Sequence, residues 1–160
     1  MKLYRLGLAF GAAAFCMSAH AQLGQGPNNI PAGLACEFPL TIDVSGGVQV
    51  HREFLDRSGN VVRTIDAGKG SKLTFINDET SAQLSTRPNG SVTQTRLNPD
   101  GSQTISMTGH NILILFPGDI PAGPSTTLYV GRVVFSVDPT GVFTLLQSNG
   151  KSSDICAALS

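Results

Sequence analysis

From residue 38 onward the chain breaks into short runs rich in valine, threonine, isoleucine and phenylalanine, separated by glycine, proline, asparagine and aspartate. Half-buried strands and their turns have this pattern. The runs predict strands over 38–44, 48–55, 61–66, 71–77, 81–86, 91–97, 102–108, 111–116, 126–137 and 142–148. No window keeps a 3.6-residue hydrophobic period, and the gaps are too short for the crossover helices that parallel strands require. The expected fold is therefore all-β, a mostly antiparallel meander. Closure into a small β-barrel would remove the many strand edges. A two-sheet β-sandwich is the alternative. Residues 152–159, with Ile155 and Leu159 four apart, read as a short C-terminal helical turn with a serine cap and Asp154 in its first turn.

Three turns share one build. Arg87-Pro88-Asn89-Gly90, Asn98-Pro99-Asp100-Gly101 and Asp138-Pro139-Thr140-Gly141 each place proline second and glycine fourth. Proline presets φ for the second position of a type I turn, and glycine accepts the left-handed geometry that follows. Asn98 and Asp138 would add side-chain acceptors at the first position. Asp56-Arg57-Ser58-Gly59-Asn60 makes a fourth turn from different residues. Between turns, the strand at 91–97 alternates softly and should keep a wet face. The apolar character rises sharply in 111–116 and 128–137. The expected core comprises Leu73, Phe75, Leu113, Leu115, Tyr129, Val133, Phe135, Phe143 and Leu145, with Gly131 marking a bulge or bend.

The first residues have a different pattern. Lys2 and Arg5 precede an uncharged apolar stretch over 6–17, and Ala19-His20-Ala21 supplies a small-residue cleavage box. Residues 1–21 read as a signal peptide cut before Gln22. Twelve apolar residues span only about 18 Å as a helix, too short to cross a bilayer. Residues 22–35, rich in glycine, proline and asparagine, read as a flexible lead-in, and 36–160 as a single secreted domain. The expected localisation is secreted, extracellular or periplasmic. Removal of the leader takes Lys2, Arg5 and His20 with it. Nine basic then face eleven acidic side chains, so the 139-residue remainder is slightly acidic. That balance, with scattered arginines and Tyr129 as the one remaining tyrosine, argues against nucleic acid as a partner.

Cys36 and Cys156 are the two cysteines left after cleavage. In an oxidising compartment an even count points to a disulfide. This one would close a loop of about 120 residues and fix the start of the domain to its end.

Catalytic chemistry is sparse. His51 and Glu53 share a strand face, and an imidazole beside a carboxylate is the base half of a triad. A surface ion pair is the expected reading. His110 should lie in a loop at a strand mouth, with Asp119 and Ile120 in the proline-bound loop 117–124. Together these three are the candidate ligand-binding residues, the loop acting as a stiff lip. No serine sits in a nucleophile elbow, and Gly68-Lys69-Gly70 lacks the spacing of a phosphate-binding loop. Asn77-Asp78-Glu79 is the best calcium candidate, but three adjacent oxygens fall short of a site and a solvated turn is expected. No metal and no cofactor are expected. Asn89-Gly90-Ser91 fits the glycosylation acceptor pattern, which matters only in a eukaryotic source.

The stretch 109–119, GHNILILFPGD, with Tyr129-Val130-Gly131-Arg132-Val133, the tail DICAAL and the opening Cys36-Glu37-Phe38-Pro39-Leu40, resembles small exported bacterial proteins of unknown function found in actinobacteria. The resemblance spans about residues 33–160 and implies no activity, cofactor or catalytic residue. The leader would suit a Gram-negative exporter equally well. The expected function is a non-enzymatic binding or surface module. The alternatives are a barrel holding a small apolar ligand, or an extracellular isomerase, cyclase or hydrolase centred near His110.

Overall fold

The computed structural model describes residues 23–160; the expected signal segment lies outside them. Ten strands and one helical turn follow in order: β1 Gly26–Ile30, β2 Leu40–Ser45, β3 Val48–Leu55, β4 Val61–Lys69, β5 Lys72–Asn77, β6 Gln83–Thr86, β7 Gly90–Leu97, β8 Gln103–Leu115, β9 Ser125–Val137, β10 Phe143–Asp154 and α1 Ile155–Ala158. Every strand pairing is antiparallel. The strands form a four-stranded sheet ordered β1-β2-β5-β6 and a six-stranded sheet ordered β10-β9-β8-β7-β4-β3. Neither closes. The all-β antiparallel expectation holds, the closed barrel does not, and the two-sheet alternative fits.

Three hairpin turns follow one template. In 56–60, 98–102 and 138–142 the first residue's N–H donates to the carbonyl of the fifth, and the glycine N–H donates to the carbonyl of the first. Gly59, Gly101 and Gly141 sit at φ of +85°, +83° and +92°. An aspartate carboxylate accepts from further N–H groups in each. Asp56 accepts from Ser58 and Asn60, and Asp138 from Thr140 and Val142. In the middle turn Asp100 does this, accepting from Ser102, while Asn98 turns its amide outward as a donor to Ser102 and Thr104. The acceptor expected at Asn98 thus sits two residues later. All three carboxyls are held below the ordinary aspartate range, Asp56 chiefly by the Asn60 N–H, Asp100 by the Ser102 hydroxyl and Asp138 by the Thr140 hydroxyl.

The remaining expected turn, Arg87-Pro88-Asn89-Gly90, is no hairpin. It carries the chain from one sheet to the other, as do Gly46-Gly47 and Gly70-Ser71. These crossings lie side by side. The Gly70 N–H donates to the Asn89 carbonyl at 2.9 Å, and Ser71 Oγ donates to the Gly46 carbonyl at 3.0 Å. From there the register carries the same line across the large sheet, through Gly68↔Ser91, Ser91↔Gly109, Gly109↔Gly131 and Gly131↔Gly150. A Cβ on Gly109 would strike the Gly90 carbonyl oxygen, and one on Gly131 the Asn149 carbonyl oxygen. Both glycines also have positive φ. The meander is creased along this line, which at Gly109 and Gly131 leaves no room for a side chain.

The crease explains two differences from the sequence reading. The strands expected at 102–108 and 111–116 are one strand, β8, because Gly109 bends the chain without breaking its pairing. Gly131 likewise bends β9 in register, and the bulge falls instead in β10, between Leu145 and Gln147.

Burial follows the fold. Ile105 and Leu113 are eight residues apart, roughly 26 Å in a straight strand. Yet Leu113 and Leu115 share one core cluster with Ile105, Val133, Phe135 and Val137. The β8–β9 ribbon is bent onto itself. Its opposite face, at Ile112, Ile114 and Leu128, packs on the small sheet's core of Leu40, Ile42, Val44 and Phe75. Five expected core residues are buried there, Phe75, Leu113, Leu115, Val133 and Phe135. Leu73, Tyr129, Phe143 and Leu145 pack at the margins.

Both ends of the domain are tied in. No strand is expected before residue 38, yet β1 pairs with β2 from Gly26↔Val44 to Ile30↔Leu40. The Asn28 amide donates to the Gly24, Gly26 and Ile42 carbonyls, and so supports a segment with almost no apolar pattern. Cys36 and Cys156 are disulfide-bonded, with Cα atoms 5.6 Å apart. The helical turn is present, but its cap is Asp154, whose carboxylate accepts from the Ala157 N–H. Ile155 and Leu159 are each 1% exposed.

Replacing Cys36 and Cys156 together with serine should lower unfolding free energy by roughly 3–5 kcal/mol in urea titrations, given the long loop closed. Gly131→Ala should cost roughly 2 kcal/mol or more by the same measurement, because the new methyl meets backbone on the neighbouring strand.

Candidate functional site

The crossings create a fork. β6 ends at Thr86 and pairs only with β5, while β8 loses its β7 partner after Gly109. Beyond the crease β8 runs on over the small sheet instead of pairing with β6. His110, Asn111 and Ile112 therefore have no strand partner on that side among the described residues. Between the separated strands lies a cleft of about 330 Å³. Its apolar lining comes from Leu23, Val44, Leu73, Met107, Ile112 and Leu128. Polar groups stand at the crossings and on β7 and β8, among them Arg87, Ser91, Thr93, His110 and Asn111.

Asn111 is 7% exposed, and its buried side-chain Nδ2 has no hydrogen-bond partner among the described residues. A buried amide left unmatched costs about 1–3 kcal/mol, so native folds rarely keep one without a use. The sequence hid this residue inside the apolar run NILILF. Its one signal was a lone amide in a strand that is otherwise hydrophobic.

The sequence candidates fall in two places. His110 lines the cleft, but from within β8 rather than from a loop. Asp119 and Ile120 do not line it. Asp119 is a clamp: its carboxylate accepts from the Phe116 N–H at 2.7 Å and the Phe143 N–H at 3.1 Å. Ile120 exchanges backbone hydrogen bonds with Phe143 and Leu145, and so fastens the 117–124 loop along the start of β10. Its side chain stays 57% exposed. The loop is lashed to the body, and the three residues do not surround one cavity.

His51 and Glu53 are neighbours, as alternation requires, with Nε2 to Oε1 at 3.5 Å. The nearer carboxylate belongs to Asp66, directly opposite on β4, at 2.6 Å from Nδ1. The Asp66 hydrogen bond raises the imidazole pKa above its ordinary value; desolvation opposes it, and the Asp66 charge and then Glu53 add to the rise. Both ring nitrogens thus face carboxylates on an exposed strand surface outside the cleft. No hydroxyl is hydrogen-bonded to the ring among the described residues. The arrangement is an ion-pair triplet across a hairpin.

Asn77, the first residue of the calcium candidate, is 2% exposed. Its amide donates to the Leu159 carbonyl and accepts from Glu79 and Thr80, so it staples the β5–β6 turn to the C-terminal helix. No metal-holding group of three histidine, cysteine or acidic side chains occurs among the described residues. No described helix is long and apolar enough to cross a membrane.

Because folding raises the His51 pKa, its protonated form adds stability that is fully present below about pH 6.5 and lost as pH rises through the folded midpoint. NMR titration should place the His51 midpoint above 6.5, and Asp66→Asn should move it back down. The gap in denaturation midpoint between the wild type and His51→Gln should shrink from pH 5.5 to pH 8.5, a range of about three units around that value. Asp119→Ala should cost roughly 2 kcal/mol in urea unfolding by releasing two backbone N–H groups. The NMR signals of the cleft residues should not move.

Compared with known proteins, the chain matches no protein-family model, no curated protein and no solved structure.

Proposed function

We propose that the chain is an exported, non-enzymatic binding domain whose ligand site is the cleft at the fork between the two sheets. The observation that carries this reading is Asn111, which lines the cleft and whose buried amide Nδ2 has no hydrogen-bond partner among the described residues. The mix of lining suits binding. An apolar floor with a few convergent polar groups holds and orients small molecules.

Catalysis has less support. The carboxylate-bound histidine, His51, lies outside the cleft, and the cleft histidine, His110, has no carboxylate partner among the described residues. In triad-type sites an orienting carboxylate and a cleft histidine occur in one place. The disulfide is compatible with an oxidising compartment, in keeping with export.

A surface-docking role is the second reading, favoured by β3. This strand is an edge of the large sheet, and Val48 and Val50 on it are 70% and 58% exposed.

Native mass spectrometry of the protein purified from its source should find a polypeptide starting at Gln22, two hydrogens lighter than the reduced chain, with a small molecule retained. A protein that is ligand-free after gentle isolation, and that takes up nothing from its own source extract, would remove the binding reading.

A further inference from the structure

The charges around the cleft narrow the class of occupant. The domain after leader removal is net acidic, yet none of the described residues lining the cleft is aspartate or glutamate. Among the described residues, Arg87 is the one permanently charged side chain on its wall. It sits on the crossing between β6 and β7, and His110 stands on the opposite side of the fork. A slightly negative protein that keeps carboxylates out of one cleft, and puts a guanidinium there, provides a local site for an anion.

The unpartnered Asn111 Nδ2 adds a donor, and Ser91 and Thr93 add hydroxyls from β7. A strong acceptor would satisfy the orphaned amide. Beneath these groups lies the apolar floor, with Leu73 from the small sheet and Met107, Ile112 and Leu128 from the large one. At about 330 Å³ the space is at the small end of ligand sites.

We infer that the cleft binds a small amphiphilic monocarboxylate, its apolar chain or ring on the floor and its carboxylate between Arg87 and Asn111. This rests on the cleft being the ligand site, and adds the chemistry of the occupant. Guanidinium and amide are complementary parts of such a site. Arg87 supplies charge and a forked donor set at the exposed rim, and Asn111 supplies a desolvated donor inside. Neutral molecules of the same shape would meet the same floor but leave the guanidinium without a counter-charge.

The test uses the oxidised domain after leader removal, titrated with octanoate and separately with 1-octanol while backbone amides are followed by NMR. Octanoate should saturate and shift the residues of the fork, from Arg87 to Ser91 and from Met107 to Ile112. 1-Octanol should bind about tenfold more weakly or worse, the worth of one charge-assisted hydrogen bond. Arg87→Gln, an exposed position where folding is not at risk, should remove most of that difference. Asn111→Leu should weaken octanoate and leave 1-octanol unchanged or improved. If Asn111→Leu fails to fold, Arg87→Gln alone decides the question. Equal binding of the two probes in the wild type, or an unaltered preference in Arg87→Gln, overturns the carboxylate assignment and leaves the cleft as a binding site. Shifts by neither probe overturn the amphiphile class, while a different molecule retained in native mass spectrometry would keep the broader reading intact.

Discussion

The structure depends on backbone approaching backbone along a single line. At Gly109 and Gly131 the neighbouring strand's carbonyl oxygen occupies the space a side chain would need. The same line takes in the three places where the chain changes sheets. A meander with side chains at these positions would twist gently and look for closure. With glycine there it folds sharply, so that β8 and β9 serve two layers with opposite faces. One face covers Leu40, Ile42 and Phe75, and the other encloses Val133 and Phe135. The cleft is the geometrical remainder of that fold, the place where strands that were neighbours before the crease separate after it.

Local chemistry was legible in the sequence. The hairpin turns at 98–102 and 138–142 follow from proline and glycine at fixed offsets with an aspartate beside them, and 56–60 reaches the same geometry without proline. β3 lies where the run of β-forming residues puts it. The disulfide followed from an even cysteine count and an inferred export route. Each of these needs only short-range rules or simple counting.

What was not legible depends on register. No single glycine announces the crease, because Gly68, Gly109, Gly131 and Gly150 align only after the strands pair. Arg87-Pro88-Asn89-Gly90 looks like the true hairpins, and only the sheet order shows it to be a crossing. His110 was assigned to a loop because Gly109 looks like a terminator, whereas here it is a bend. The core of the small sheet was under-read for another reason. Leu40-Thr41-Ile42-Asp43-Val44 alternates cleanly and buries its apolar members, but it is less apolar overall than the late strands. Asp119 shows the limit of reading polar loop residues as binding groups. Its carboxylate accepts from two backbone donors of its own chain, one on each oxygen.

The bridge between Cys36 and Cys156 has a mechanical consequence. It encloses β2 to β10 within one covalent ring, with β1 outside it on the amino-terminal side. Tension pulling residues outside the ring in opposite directions is carried from sulfur to sulfur and bypasses the enclosed strands. A tug could peel β1 from β2 or unwind the last helical residues, and would then meet a bond that does not yield. The creased sheets, and the cleft between them, would keep their shape under loads that unravel an unbridged domain from its ends.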